Sequence, residues 1–133
     1  MNKFTVCDAY SLPDIQSIYQ RLSKSTMISV TDCKQGYWPL EVHISDRRLT
    51  AFVCDMGLFE FCRVPFGIKN NGDCFMRVIT EILRPLSNVA KSFVDDIAVH
   101  LGGWVSHTVD LMKFLETIKH SVLTLNLKKC KWA

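Results

Sequence analysis

Residues 89–101 read Val89-Ala90-Lys91-Ser92-Phe93-Val94-Asp95-Asp96-Ile97-Ala98-Val99-His100-Leu101. The apolar and β-branched runs on either side of Asp95-Asp96 predict two strands joined by a hairpin whose tip is the acidic pair. A two-residue hairpin turn prefers Asn-Gly or Asp-Gly, so two acids are a poor local choice. Their carboxylates also repel each other unless a cation neutralises them. Function is expected where a local rule is broken in this way.

A third acid follows a second predicted strand. Residues 28–31 alternate Ile, Ser, Val and Thr and lead into Asp32, which is typical of a strand that delivers an acid to its end. Neighbouring antiparallel strands can bring this carboxylate to the hairpin tip. Such oxygen ligands suit Mg²⁺, which takes one or two carboxylates together with waters and substrate phosphates. The alternative is that the acidic pair forms a solvated turn and that Asp32 is a cap or loop acid.

The rest of the pattern interleaves helices and strands. Three amphipathic helices are predicted: one capped by Ser11 with Pro13 in its first turn, one over residues 75–86 capped by Asn71 or Asp73, and one over residues 111–125. Further strands are predicted through Leu40, Val42 and Ile44, through a hairpin of residues 49–53 and 58–61 around Asp55-Met56-Gly57, and at Asn126-Leu127. This order predicts an α+β fold, an antiparallel sheet with helices packed on one face.

Composition limits the class of protein. The 133 residues are 48% hydrophobic with a net charge of +3, which predicts one domain and only a mild basic bias. The six cysteines show no zinc-site spacing, and neither a signal peptide nor an apolar run of membrane-spanning length is present. We therefore expect reduced thiols, no membrane association, and a cytoplasmic or nuclear rather than secreted protein.

Several blocks carry a resemblance to one family. The segment Phe93-Val94-Asp95-Asp96 resembles the aromatic-x-Asp-Asp signature of reverse transcriptases, and residues 29–38 are similar to the block with the first catalytic Asp in gypsy-type LTR retrotransposons. Further blocks match in order at residues 50–53, 57–61, 64–70 and 126–130, the last reading Asn-Leu-Lys-Lys-Cys. The resemblance runs from Asn2 to Trp132.

This resemblance implies the palm of an RNA-directed DNA polymerase with two Mg²⁺ or Mn²⁺ ions. By position, Asp32 and Asp95 would bind both ions and Asp96 would support the metal on the primer side. The backbone carbonyl of Cys33 would add an oxygen ligand. The implied partners are an RNA or DNA template-primer and deoxynucleoside triphosphates.

The resemblance also assigns a nucleotide pocket. Tyr37 would lie beneath the deoxyribose and exclude a 2′-hydroxyl, and its alternative role is a packed core tyrosine. Phe66 and Gly67 would line the pocket, or Gly67 would simply shape a loop. Lys69 would meet nucleic-acid phosphates, although a lone lysine is usually solvated.

Some positions depart from the family pattern: Pro39, residues 71–76 with Asp73, His100, and Gly102-Gly103-Trp104. The resemblance also implies that residues 1–133 hold the palm with a small part of the fingers, whereas the N-terminal fingers, the thumb and RNase H lie elsewhere in a longer polyprotein. Because catalysis depends on those other parts to position the substrates, we expect little activity from residues 1–133 alone. Two other functions stay open, a catalytically inactive nucleic-acid- or protein-binding module and an unrelated metal-dependent phosphoesterase.

Overall fold

The computed structural model describes residues 2–3, 5–10, 14–34 and 36–133. Three helices are present in these residues: α1 (Ile15–Leu22), α2 (Asn71–Leu83) and α3 (Trp104–Lys119). The strands are β1 (Met27–Asp32), β2 (Phe52–Cys54), β3 (Gly57–Phe59), β4 (Ala90–Phe93) and β5 (Asp96–Leu101), and short 3-10 turns cover Ile44–Thr50 and Arg84–Leu86.

A three-stranded antiparallel sheet with the order β1-β5-β4 forms the centre of the protein. Ile97 and Val99 on β5 are fully buried beneath α2 and α3, whose apolar stripes include Phe75 and Phe114. Burial of these stripes stabilises the helices on the sheet, since helices of this length gain most of their stability from packing. The predicted α+β fold with helices packed on an antiparallel sheet is confirmed, and α2 and α3 share one face of that sheet.

Strand β1 buries its polar face. Ser29 and Thr31 are fully buried, and both are hydrogen-bonded: the Ser29 hydroxyl lies 2.8 Å from Nε2 of His107, and the Thr31 hydroxyl donates to the carbonyl of Ile97 at 3.2 Å. Buried polar groups are tolerated when they are paired in this way. The apolar Ile28 and Val30 therefore lie on the opposite face of the sheet, which α1 borders across a cavity of about 320 Å³.

The prediction of a strand through Leu40, Val42 and Ile44 is wrong. Only one bridge, between Glu41 and Arg63, occurs there, and the chain then enters the 3-10 turn Ile44–Thr50. Residues 45–48 are Ser-Asp-Arg-Arg, and polar groups of this turn bond locally. For example, the Thr50 hydroxyl donates to the Arg47 carbonyl at 2.6 Å. Such local bonds compete with a sheet ladder.

The prediction of a strand at Asn126-Leu127 is also wrong. Isolated bridges join Leu125 to Cys33 and Lys131 to Val30. Between them the amide of Cys130 donates to the Asn126 carbonyl at 3.2 Å, which turns the chain. The C-terminal segment is nevertheless held along β1, because the Asn126 amide donates to the Asp32 carbonyl at 2.8 Å.

Element boundaries differ from the predictions in smaller ways. Helix α1 is capped by Asp14, whose carboxylate accepts from the amides of Gln16 and Ser17, whereas the predicted Ser11 and Pro13 lie outside the described residues. Helix α2 has Asn70 as its N-cap and ends at Leu83, ahead of Pro85, which has no N–H for the helix ladder. Helix α3 ends at Lys119 rather than reaching residue 125. The hairpin around Gly57 is confirmed in the shorter strands β2 and β3.

Among the helices in the described residues, none combines the length and apolarity that crossing a bilayer requires.

Candidate active site

Two strand ends bring the three predicted acids together. Asp32 is the last residue of β1 and Asp96 is the first residue of β5, and the two lie opposite each other in the ladder. Directly opposed residues share one face of a sheet, so their side chains project from the same side. Asp95 is tied to this end because its carbonyl accepts the amide of Cys33 at 2.8 Å.

The hairpin tip is displaced by one residue from the prediction. Phe93 pairs with Asp96, so the two-residue turn consists of Val94 and Asp95 rather than of the acidic pair. Val94 has a φ of 54°, which is strained for a β-branched residue. Its amide donates to the sulfur of Met76 on α2 at 3.2 Å. This packing against α2 fixes the turn that carries Asp95.

The acids form a region of excess negative charge. One carboxylate oxygen of Asp95, Oδ1, is buried and has no hydrogen-bond partner in the described residues. Burial raises the pKa of this carboxyl, and the neighbouring Asp32 and Asp96 raise it further. The same acids and, above all, burial raise the pKa of the Cys33 thiol to about 12. Cys33 is therefore a neutral thiol, and only its backbone carbonyl suits a hard cation.

One cation faces the acids and was not predicted. The ammonium of Lys129 lies 3.3 Å from Oδ2 of Asp32, and it lowers the pKa of Asp95 against the larger effects of burial and the other acids. Lys129 belongs to the block at residues 126–130 that resembles the reverse transcriptases, and this was the available signal in the sequence.

A divalent cation fits this donor set. Across the described ranges, no three His, Cys, Asp or Glu side chains are arranged as a ready metal site, so a purely protein-built cage is absent there. Mg²⁺ does not need one, since it commonly binds one or two carboxylates and completes its shell with water and substrate phosphates. The unpaired Oδ1 of Asp95 and the repulsion among the acids are both relieved by a bound cation.

The predicted nucleotide-pocket residues adjoin one another. The ring of Tyr37 packs against Phe66 at 5.5 Å between centroids and edge-on against the buried Phe75 at 5.6 Å. Tyr37 is half-buried at the margin of the core, whereas Phe66 is 64% exposed. Gly67 has a φ of 89°, which favours glycine and shapes the loop. Lys69 is exposed, and its amide donates to the side chain of Asn2 at 3.1 Å.

The departures from the family pattern have structural roles. Asp73 lies in the first turn of α2, where a negative charge is favourable. Asn71 is buried and donates to the carbonyl of Pro65 at 2.5 Å. The Pro39 carbonyl accepts from Arg63 at 2.8 Å, and His100 is buried with Nδ1 3.0 Å from the Ser25 hydroxyl. Gly102-Gly103 leads from β5 into α3.

Comparison with known proteins decides the family. The family model described as reverse transcriptase (RNA-dependent DNA polymerase) matches residues 1–133. The chain belongs to the reverse transcriptase family. The recognised resemblance and the enzyme class that it implies, RNA-directed DNA polymerase, are thereby confirmed at the level of the family.

Relatives of this reverse transcriptase domain are larger polyproteins. It is 33% identical over 131 residues to the enzymatic polyprotein of Cauliflower mosaic virus (strain NY8153), covering 98% of the chain and 19% of that protein. Against the Pol polyproteins from the Drosophila melanogaster transposons opus and gypsy, the identities are 32% and 28%, and the chain covers 13% and 12% of their lengths. The domain thus spans a fifth or less of these relatives.

Solved structures share the fold. The foamy viral protease-reverse transcriptase in complex with RNA/DNA hybrid matches with a TM-score of 0.87 at 21% identity, covering 98% of the chain and 18% of that structure. The same enzyme (dRH) in complex with ds DNA gives a TM-score of 0.88 at 21% identity, with 98% and 23% covered. These matches confirm a reverse-transcriptase-like arrangement of the sheet and helices.

Proposed function

We propose that the chain is the catalytic palm of a retrotransposon-type reverse transcriptase that adds deoxynucleotides to a primer 3′ end by a two-metal reaction. The observation that carries this proposal is the meeting of Asp32 and Asp96 across the last pair of the β1–β5 ladder, with Asp95 in the adjoining turn. Three acids at this end of the sheet repel one another, and although Lys129 pairs with Asp32, a bound cation would relieve the remaining repulsion.

Each acid has a distinct part in this proposal. Asp32 and Asp95 would hold both divalent ions, Asp96 would support the primer-side ion, and the Cys33 carbonyl would supply one more oxygen. When bound, two Mg²⁺ or Mn²⁺ ions stabilise the attacking and leaving oxygens of an in-line displacement. The chain's contribution is position: the β1–β5 pairing and the amide of Cys33 on the Asp95 carbonyl fix the backbone that carries the carboxylates. Preorganised ligands of this kind need no rearrangement during the reaction.

The nucleotide would lie against the aromatic surface that Tyr37 and Phe66 form. Tyr37 would pack beneath the deoxyribose, Phe66 and Gly67 would border the pocket, and Lys69 would contact a nucleic-acid phosphate. The packing of Tyr37 on Phe75 supports its role, because a ring held by the core is a rigid surface that can exclude a 2′-hydroxyl sterically.

The proposed partners are a template-primer, deoxynucleoside triphosphates, and fingers, thumb and RNase H segments of a longer polyprotein. The structural neighbours are complexes with RNA/DNA hybrid and ds DNA, which supports a template-primer as a partner. The relatives are polyproteins several times longer than this chain, which supports further segments of a polyprotein as partners. All six cysteines are free thiols, in keeping with a reducing cytoplasmic or nuclear compartment.

Templated DNA synthesis tests the proposal. The chain is joined to the remaining polymerase segments of a relative such as the gypsy Pol polyprotein, and primer extension on an RNA template is measured with Mg²⁺ or Mn²⁺. Extension that falls by at least about a hundredfold in Asp95→Asn supports the two-metal role. A chimaera that folds cooperatively and binds template-primer but does not extend it would instead favour a non-catalytic binding module.

A further inference from the structure

A basic cavity lies between α1, the end of α2 and the start of β4, and its residue Lys91 also lines the neighbouring cavity that Asp96 borders. Its volume is about 300 Å³, and three cationic side chains line it: Arg21, Arg84 and Lys91. Hydroxyl groups of Ser17, Ser87 and Ser92 line it as well, and no aspartate or glutamate is among its lining residues. We refer to this site, defined by these six residues, as the basic cavity.

Its positive charge is only partly compensated. Arg84 is paired with Glu81, but within residues 14–34 and 36–133 neither Arg21 nor Lys91 forms an ion pair with a carboxylate. The Lys91 ammonium is directed to the Ser87 carbonyl, to which it donates a hydrogen bond. One uncharged acceptor does not balance two neighbouring cations, so the cavity retains an excess of positive charge.

Electrostatic effects inside the protein agree with this excess. Burial lowers the pKa of Lys91, and the charge of Arg21 lowers it further. The pKa of His100 is lowered by burial and then by Lys91 and Arg21. Charged groups disfavour one another in this way when no counter-ion lies between them. An anion in the cavity would offset the part of these shifts that comes from repulsion between the positive charges.

We propose that the basic cavity binds a phosphate group. An arginine guanidinium matches two phosphate oxygens at once, a lysine ammonium supplies a compact charge, and the Ser87 and Ser92 hydroxyls donate to the remaining oxygens, whereas the Ser17 hydroxyl already donates to the Asp14 carbonyl. The cavity volume is at the lower end for ligand sites, which suits one phosphate with a small part of its carrier. That phosphate belongs either to a free phosphoanion or to a nucleic-acid backbone, because both present the same group.

Titration of the full chain with inorganic phosphate tests the site. Amide chemical shifts of Arg21, Ser87 and Lys91 are followed in NMR spectra as phosphate replaces chloride at constant ionic strength. Saturable shifts at these residues are expected, and affinity should fall about tenfold in Arg21→Gln and again in Lys91→Gln, since each removes a charge-assisted bond. The control Arg48→Gln/Lys119→Gln removes two exposed charges elsewhere and should leave the affinity unchanged.

A second titration separates the two sources. A short single-stranded oligodeoxynucleotide, added without divalent metal, should displace phosphate from Arg21 and Lys91 if the backbone is the natural ligand, whereas displacement by pyrophosphate alone identifies a free phosphoanion. Shifts that do not saturate, or equal affinity in wild type and Arg21→Gln/Lys91→Gln, would overturn the proposal.

Discussion

Asp32 and Asp96 are directly opposed in the last pair of the β1–β5 ladder, and Lys129 approaches Asp32 from the C-terminal segment to within 3.3 Å. Opposed like charges destabilise a strand pair. The sheet therefore ends in an arrangement that favours a cation, and in the metal-free protein the ammonium of Lys129 supplies part of that charge.

Removal of this ammonium should strengthen metal binding. Lys129→Met frees Asp32 from its ion pair, so Mn²⁺ affinity should rise up to about fivefold, and the metal-free protein should lose less than about 1 kcal/mol of stability because the lysine is largely exposed. Mn²⁺ titration followed by electron paramagnetic resonance measures the affinity. Lys128→Met is the matched control, and equal affinities in the two variants would show that Lys129 does not compete with the metal.

The strained turn predicts an unusual order of stability at position 94. Because Val94 has a positive φ, Val94→Gly should be more stable than Val94→Ala by about 1 kcal/mol, the reverse of the usual order within a strand. Chemical denaturation of both variants gives the difference. If alanine proves the more stable, the turn does not hold this conformation in solution.

Tyr37 should serve both packing and substrate selection. Tyr37→Ala removes a ring that packs on Phe75, so it should cost about 2 kcal/mol of stability for a half-buried aromatic. In the polymerase chimaera it should also admit ribonucleotides, whereas Tyr37→Phe keeps the ring and should preserve both properties. A destabilised Tyr37→Ala with unchanged sugar preference would assign Tyr37 to the core alone.

Acid should destabilise the protein through His100. Its pKa is lowered by burial and by Lys91 and Arg21, so the folded state binds its proton less readily than the unfolded state. The contribution of neutral His100 to the free energy of unfolding is therefore fully present above the ordinary histidine pKa near 6.5. It is lost as the pH falls below that value, by at most about 1.4 kcal/mol per pH unit. Denaturation between pH 7.5 and 5 should show a shallower loss in His100→Gln than in wild type. The exposed His43→Gln should follow the wild type, and an equal slope in all three would exclude His100 as the cause.

Local patterns were sufficient to predict the strands around the acids. The alternation before Asp32 and the apolar runs around Asp95-Asp96 are properties of neighbouring residues, and all three strands formed. The face that β1 buries was not predictable, because Ser29 is accommodated by His107, which is 78 positions away in the chain. Burial of a polar strand face depends on a partner that only the tertiary structure supplies.

The ion pair between distant residues was equally unpredictable from local sequence patterns. Lys129 lies 97 positions from Asp32, and no periodic pattern connects them. The strand prediction for residues 40–44 failed for a different reason. Their alternation is that of a strand, but the chain continues into a 3-10 turn containing Ser-Asp-Arg-Arg, in which local hydrogen bonds replace a sheet ladder. The family resemblance, rather than periodicity, is what assigned roles to Tyr37, Phe66, Gly67 and Lys69, and those roles remain predictions.

Cation-dependent stability tests the account of the acids most directly. Thermal unfolding is measured with and without Mg²⁺ or Mn²⁺ at matched ionic strength, for wild type, Asp95→Asn and the exposed turn control Asp55→Asn. The ion should stabilise wild type and Asp55→Asn by about 1 kcal/mol, because it binds only the folded carboxylate site, and it should not stabilise Asp95→Asn. An equal response in all three proteins would mean that the cation acts elsewhere, and it would contradict the assignment of Asp32, Asp95 and Asp96 as the metal-binding centre.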